Sequence, residues 1–460
     1  MLPQSSILSF IHDTQFNDLP LDVVAMAERC CLDLIGVTVA GRHTDLAQII
    51  TEHAALFFAG NKEISAIPFS GETASPVGAA LAMGMTIDAF DAHDGHRLTK
   101  GHAGAAIFPA LLAYSYCLAG NKNKIDGCEF LTALIIGYEV SLRAGIALHA
   151  TACDYHTSGA WNAIGAAAMG ARLLKLSPEK TKHALGIAEY HGPRSQMMRC
   201  IDHPTMLKDG SGWGAMSGVS AAYLSRSGFT GAPAITLEGD DCAIYWQSLG
   251  QDWEVLAQYF KPYPVCRWAQ PAIQAISDLM KKQPIDYQKI EAIEIRTFHE
   301  GVCLAGYNPQ TTEEAQYAIA FPVAALIVRG TLGAKEIAPE TLNDSIILAL
   351  AQKIILSEGK EYNDLFPGER WADVTIKFND GKKISTPATC PIGDPENPLT
   401  DDNILTKFYT LCRGSLHKKT ADNIVKSVKE LKSETNALSC LLELLKHPVS
   451  PKECQHKISD

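Results

Sequence analysis

The chain has 460 residues, 47% of them hydrophobic and 20% charged, and its formal net charge at pH 7 is −11. A chain of this length exceeds the size at which one hydrophobic core stops growing, so we expect two domains. The negative charge argues against a nucleic-acid partner and an anionic membrane, but it permits a small anionic substrate in a locally basic pocket. The 13 cysteines show neither framework nor CxxC spacing, which favours reduced thiols, a cytoplasmic location and no cysteine-bound zinc.

Residues 1–262 predict a large, all-helical domain. The segment 19–41 has Pro20 and Asp22 at its start, apolar residues at helical spacing, and Gly41 at its end. Four later segments repeat the pattern and several are apolar nearly all round, which indicates central helices of a bundle. They are residues 75–90, 104–120, 128–150 and 162–176. The most apolar windows are at or below the roughly 17 to 20 residues that span a bilayer, so we expect no transmembrane segment.

Residues 263–400 predict a smaller α+β domain. In residues 290–298, apolar or β-branched residues alternate with charged ones, which predicts a strand. Residues 371–387 predict a hairpin that turns at Asp380–Gly381. Helical segments lie between these strands, and the polar helices of residues 401–460 are expected to pack back on the helical domain. The predicted fold class is therefore mostly α, with a large helical and a smaller α+β domain.

Residues 88–102, "DAFDAHDGHRLTKGH", gather titratable side chains immediately before an apolar helix. Such a run is most often a solvated loop. His102, however, stands at the predicted start of a buried helix, where backbone N–H groups favour an anion. His156 in "DYHTSGAWNAIGAA" stands in the same relation to another helix. Two histidines in matching positions favour a functional role over a purely structural one.

Two further stretches add cationic side chains. In "HPTMLKDGSGWGAMSG", the glycines suggest a nucleotide-binding loop, but no strand precedes them, so that interpretation is weak. Lys208 follows two apolar residues there and is expected to point into a cleft. "FKPYPVCRWAQPA" contributes Lys261 and Arg267 at the domain junction, where small-molecule sites commonly lie. Together with Arg97 these cations suit a substrate that carries several carboxylates, among which Asp91 or Asp94 would act as acid or base.

The same stretches resemble the MmgE/PrpD family, whose members include 2-methylcitrate dehydratase, cis-aconitate decarboxylase and iminodisuccinate epimerase. The counterparts of its motifs are "MGMTIDAFDAHDGH", "GHAG" and "FPALLA", and the resemblance runs from "LDLIGVTVAG" to "AQYAIAFPVAALIVRG". It implies a helical large domain, a smaller α+β domain, a cleft between them, and a homodimer.

Residue by residue, the resemblance places five side chains around the cleft, with roles in proton transfer and carboxylate binding: Asp91, His102, His156, Lys208 and Tyr317. We interpret the first four as catalytic and Tyr317 as substrate-binding. The other candidates for substrate binding are His96, Arg97, Lys261 and Arg267. The chain departs from the family pattern where Gly95 replaces a threonine, His93 an aspartate and Gln270 a frequent histidine, so the substrate stays open.

The function predicted on this basis is a cofactor-independent lyase of the dehydratase or decarboxylase type. It would abstract a proton next to a carboxylate of a di- or tricarboxylate, using a base, an acid and stabilising cations. An epimerase could use the same site. A non-enzymatic helical scaffold would not explain the polar clusters at the helix ends. A metal-dependent hydrolase could use histidines 93, 96, 102 and 156, but their spacing is no standard ligand pattern and HExxH is missing.

Overall fold

The computed structural model describes residues 4–119 and 124–449. Its N-terminal part is a bundle of helices: α1 (Gln4–Asp13), α2 (Leu21–Gly41), α3 (Asp45–Phe57), α4 (Pro76–Asp88), α5 (Gly104–Ala119), α6 (Gly127–Thr151), α7 (Gly159–Leu173), α8 (Pro178–His191), α9 (Met198–Asp202), α10 (Ser211–Arg226) and α11 (Ile235–Glu238). Short 3-10 turns span Phe16–Asp18, Asp240–Trp246, Glu254–Ala257, Arg267–Ala269 and Tyr287–Lys289.

Side-chain caps and small residues explain how these helices begin and pack. Ser75 caps α4 by accepting from the Gly78 N–H at 3.2 Å, with Pro76 at the first helical position. Helices α4 and α10 meet at Gly84 and Gly212, where a Cβ on Gly84 would lie 2.5 Å from the Gly212 Cα. Glycine therefore lets α10 start against α4, directly beside the polar segment that follows α4.

Helix α6 is long and apolar enough to cross a membrane, but 94% of its apolar window is buried inside the protein. Neighbouring helices therefore cover its apolar surface, in agreement with the expected central helices. The cytoplasmic location stays a prediction.

Four two-residue strands interrupt the helical part, which the sequence had predicted to be helical throughout. They are β1 (Ser65–Ala66), β2 (Thr73–Ala74), β3 (Gly95–His96) and β4 (Gln258–Tyr259). Strands β3 and β4 are antiparallel, with Gly95 opposite Tyr259. This pairing fixes the segment after α4 against the segment that contains Lys261.

The α+β part contains the predicted strand and hairpin, and the predicted fold class is confirmed. Its elements are α12 (Gln270–Lys282), β5 (Ile290–Thr297), α13 (His299–Val302), α14 (Thr312–Gln316), α15 (Ala320–Arg329), α16 (Pro339–Leu342), α17 (Ser345–Ala351), β6 (Ile354–Glu358), α18 (Lys360–Asn363), β7 (Ala372–Phe378) and β8 (Lys383–Ser385). The sheet order is β6-β5-β7-β8, with β5 and β6 parallel and the other pairs antiparallel. Ile293, Ile295, Val374 and Ile376 are fully buried, which accounts for the alternation in the sequence.

Three C-terminal helices follow, α19 (Asp401–Cys412), α20 (Lys418–Glu430) and α21 (Ala437–Lys446). Lys407 of α19 donates to Asp33 of α2 at 2.6 Å, and Phe408 packs beside Gly36. Residues 450–460 of the predicted C-terminal segment lie outside the described residues. The domain boundaries at 262 and 400 stay a prediction.

Candidate active site

A buried ion pair joins two distant parts of the chain just beyond α4. Lys261 Nζ donates to Asp91 Oδ1 at 2.6 Å, and the two side chains are 0% and 4% exposed. Burial alone would raise the pKa of Asp91, but Lys261 together with the other neighbouring basic groups outweighs burial and holds that pKa well below its usual range. Asp91 is therefore an ionised carboxylate that keeps an ammonium group inside the protein.

Gln316 at the end of α14 links this pair to Lys208. Its Oε1 accepts from the Asp91 N–H and from Lys208 Nζ, both at 2.9 Å. Lys208 Nζ also lies 4.7 Å from the centre of the Tyr317 ring. The structure thus places Asp91, Lys208, Lys261 and Tyr317 together, and it adds Gln316, which the sequence analysis missed although it adjoins Tyr317.

Lys208 reaches this position through an unusual backbone. It is 3% exposed and has a φ of 49°, in the left-handed region, whereas Met206 and Leu207 are 40% and 71% exposed. The sequence predicted that Lys208 points inward, and its burial agrees with this. The reason, that Lys208 follows two apolar residues, is wrong. The apolar neighbours face outward, and the left-handed turn carries the lysine inward.

His102 has a fixed tautomer. Its Nδ1 lies 2.6 Å from the Asp94 carbonyl oxygen, which can only accept, so Nδ1 carries the proton and Nε2 holds the lone pair. Burial, followed by the charge of Lys261, lowers the pKa of His102 to about 3. The His102 N–H donates to Ser158 Oγ at 3.0 Å, and the Ser158 hydroxyl donates to Asp209 at 2.6 Å. His102 is thus a neutral imidazole anchored to the start of α7.

His93 packs edge-on against His102, with ring centres 4.3 Å apart. The ligand atoms of Asp91, His93 and His102 lie within 4.8 Å of one another, a donor set that suits a divalent cation. Lys261 already places a positive charge at 2.6 Å from Asp91. A metal at these atoms would therefore have to displace the ammonium group.

Three buried carboxyls close to the site have pKa values that are raised into the neutral range. Burial, followed by the charge of Asp209, raises the pKa of Asp88 to about 8. Burial and Asp33 raise that of Asp94 to about 7, and burial raises that of Asp209 to about 6. Strongly shifted pKa values are typical of functional sites, although structural networks show them as well.

Asp91, His102 and Tyr317 line a narrow cavity with about 20 Å³ of free volume. Of the predicted substrate-binding residues, Arg267 also lines it, with its guanidinium paired to Asp394 at 2.7 Å. Free space of this size holds about one water molecule, so a larger ligand requires the cavity to widen. The cavity nevertheless brings an imidazole, a carboxylate and cations to one place.

Five predicted site residues are not part of this lining: Lys208 and Lys261, which bond to Gln316 and Asp91, and Arg97, His96 and His156, which have other partners. Arg97 is one-third exposed and forms an ion pair with Glu396. His96 lies 3.3 Å from Glu254. His156 precedes α7 as predicted, but its ring stacks on His149, with ring centres 6.4 Å apart. Their assignment to the site stays a prediction, and of the four histidines in the metal hypothesis only His93 and His102 are in contact.

Other lining residues escaped the sequence analysis: Lys100, Tyr155, Tyr259, Trp268 and Arg370. Tyr259 also explains the glycine at position 95, because a Cβ there would lie 2.5 Å from the Tyr259 hydroxyl and 2.7 Å from His102 Nδ1. A side chain such as the family's threonine has no room beside this tyrosine. The charge run at 88–102 was a signal for Lys100, whereas nothing in the sequence around Arg370 pointed to a site.

Family models and several known proteins match nearly the whole length of the chain. The model of the MmgE/PrpD N-terminal domain matches residues 5–256, and that of the MmgE/PrpD C-terminal domain matches residues 263–432. A cis-aconitate decarboxylase from Aspergillus terreus is 26% identical, covering 97% of this chain and 96% of the relative. A cis-aconitate decarboxylase-like protein oryM from Aspergillus oryzae is 24% identical, covering 96% of each chain. The human cis-aconitate decarboxylase is 23% identical, covering 97% of this chain and 95% of the relative.

Proposed function

The chain belongs to the MmgE/PrpD family and is a lyase, and we propose that it releases carbon dioxide from a small unsaturated tricarboxylate of the cis-aconitate type without a cofactor. The observation that carries this proposal is the neutral His102, whose free Nε2 belongs to a buried cluster with Lys261 and Asp91. The names of the relatives support the substrate class. Because the chain is a lyase, the alternative prediction of a metal-dependent hydrolase is wrong.

The reaction needs an electron sink and one proton. In such an acid, the bond breaks between a carboxylate carbon and the methylene group beside the double bond. Its electron pair forms a new double bond, and the former π pair moves to the carbon next to a remaining carboxylate. That carbon takes up a proton, and carbon dioxide leaves. The negative charge spreads onto the remaining carboxylate, where buried ammonium groups such as Lys208 and Lys261 stabilise it.

We assign the proton to His102. Burial and Lys261 keep its imidazole neutral while the cavity holds no anion. Substrate carboxylates bring negative charge next to the ring and raise its pKa, so binding takes up a proton on Nε2. Nδ1 stays bonded to the Asp94 carbonyl, which leaves Nε2 to deliver the proton to carbon. His102 then returns to the neutral state with which it began.

In this mechanism Asp91 positions Lys261. Its ionised carboxylate supplies the counter-charge that the ammonium group of Lys261 needs at a fully buried position. The substrate then competes with Asp91 for Lys261. It also binds Lys208, which is linked to Asp91 through Gln316. Both cations are thus in place before the reaction starts, which is the requirement for electrostatic stabilisation of the transition state.

A dehydratase is the second candidate, because the lone pair on His102 Nε2 can also abstract a proton next to a carboxylate. Incubation with cis-aconitate and, separately, with citrate distinguishes the two reactions by proton NMR. Decarboxylation yields methylenesuccinate from cis-aconitate and leaves citrate unchanged. Loss of water from citrate without release of carbon dioxide from either acid would assign the dehydratase.

A further inference from the structure

Arg370 is a buried cation that, among the described residues, forms no direct ion pair. It is 3% exposed and lines the cavity, and its Nε has no hydrogen-bond partner. Within residues 4–119 and 124–449, no carboxylate lies within ion-pairing distance of its guanidinium. A buried charge left without a counter-charge is strongly unfavourable, so such groups normally face a ligand or a partner.

The contrast with Arg267 shows that Arg370 is the exception. Both guanidinium groups flank the Tyr259 ring, at 4.5 Å for Arg267 and 5.9 Å for Arg370. Arg267 is occupied by Asp394 at 2.7 Å and by the Ile392 carbonyl at 3.1 Å. Arg267 therefore has a direct ion pair, whereas Arg370 feels the charge of Asp394 only without direct contact and keeps donors that can bind a ligand in the cavity.

Lys100 supports the same conclusion on the same side of the cavity. Its ammonium lies 4.4 Å from the centre of the Tyr155 ring, and its backbone is left-handed, with a φ of 49°. Burial and the nearby Arg370 lower the pKa of Lys100, against the opposing effect of Glu300. Two cations, Lys100 and Arg370, therefore border the same cavity.

We propose that Arg370, together with Lys100, binds a carboxylate of the substrate that takes no part in bond breaking. This assignment rests on the proposed function, because it divides one tricarboxylate between the reacting end at His102 and a holding end at Arg370. The planar guanidinium offers two parallel N–H donors to a carboxylate. The residue thereby selects acids with an additional carboxylate over monocarboxylates.

The test compares Arg370→Met with the matched control Arg296→Met. Arg296 is 48% exposed on β5 and pairs with Asp373 and Glu361, outside the cavity lining. The probe is propane-1,2,3-tricarboxylate, which has no double bond and cannot undergo the reaction. Calorimetry should show its Kd raised about 10- to 100-fold in Arg370→Met and unchanged in Arg296→Met. With cis-aconitate, KM should rise by a similar factor at a nearly constant kcat, because the contact persists from ground state to transition state.

Two further measurements separate this inference from a structural role. Without ligand, the Tm of Arg370→Met should equal or exceed that of the wild type, because an unpaired buried charge is removed; a clear drop in Tm would overturn the proposal. Mono-esters of the probe are blocked at the central or at a terminal carboxyl. The ester that blocks the carboxylate held by Arg370 should bind Arg370→Met and the wild type with the same affinity. If the wild type binds the probe and Arg370→Met binds it equally well, the inference fails while the proposed function stands. If the wild type binds the probe but converts no tricarboxylate, the proposed function fails while the binding assignment is still decided by Arg370→Met.

Discussion

Replacing Lys261 by Met should destabilise the protein far more than the loss of an exposed ion pair with the same N–O distance. The substitution leaves the Asp91 carboxylate buried without its partner, and breaking a buried pair in this way typically costs about 3 to 5 kcal/mol. Lys360 provides the matched control, since its Nζ also lies 2.6 Å from a carboxylate oxygen, that of Asp364, but the two side chains are 86% and 62% exposed. Lys360→Met should change the free energy of unfolding by about 0 to 1 kcal/mol.

The loss should also depend on pH. In the wild type the pKa of Asp91 is lowered on folding, so its contribution is present above the unfolded pKa of roughly 3.9 and disappears only as the pH falls through the lower folded value. In Lys261→Met, burial raises that pKa instead, and ionised Asp91 opposes folding. The difference between the two proteins should therefore be largest at pH 7 and shrink towards pH 4. Urea unfolding followed by circular dichroism at both pH values measures it. Equal losses for the two lysine variants, or a difference independent of pH, would refute the argument.

The remaining predictions concern the site itself. His102→Ala and Lys208→Ala should abolish turnover while leaving the circular dichroism spectrum unchanged, and near-wild-type activity in either would remove that residue from the mechanism. Binding of propane-1,2,3-tricarboxylate at pH 7 should take up as much as one proton per site, measured by calorimetry in two buffers of different ionisation enthalpy; an unchanged uptake in His102→Gln would show that another group takes the proton. Gly95→Val should displace Tyr259 or His102 and lower kcat/KM by at least about tenfold, since the added Cβ would lie within 2.7 Å of both. Full activity would show that the backbone around position 95 can shift without harm to the site. Activity should survive exhaustive dialysis against a chelator, and a loss restored by one metal would assign Asp91, His93 and His102 to that ion.

The sequence predicted those parts of the fold in which one periodicity continues long enough to be recognised. Helices such as α2 and α6 and the strand β5 have the predicted type because each repeats its apolar pattern over eight or more residues. Strands β3 and β4 have two residues each and leave no periodic signal, yet they bring Lys261 to Asp91.

Individual site residues depended on contacts that no local pattern contains. Gly95 is explained by its contacts with His102 and with Tyr259, which is far away in the sequence. Arg370 precedes a predicted strand, where a charged residue is ordinary, and only the fold places it in the cavity. Arg97, whose role in substrate binding stays a prediction, is one-third exposed and pairs with Glu396, and a basic residue next to a site motif can face the surface equally well.

Turnover of cis-aconitate in D₂O tests the central claim most directly. Carbon dioxide and methylenesuccinate should form in equal amounts, and each methylenesuccinate molecule should carry one deuterium in its saturated methylene group, delivered from His102. His102→Ala should form neither product. Release of no carbon dioxide, or a product without deuterium at that carbon, would contradict decarboxylation with proton transfer from this site.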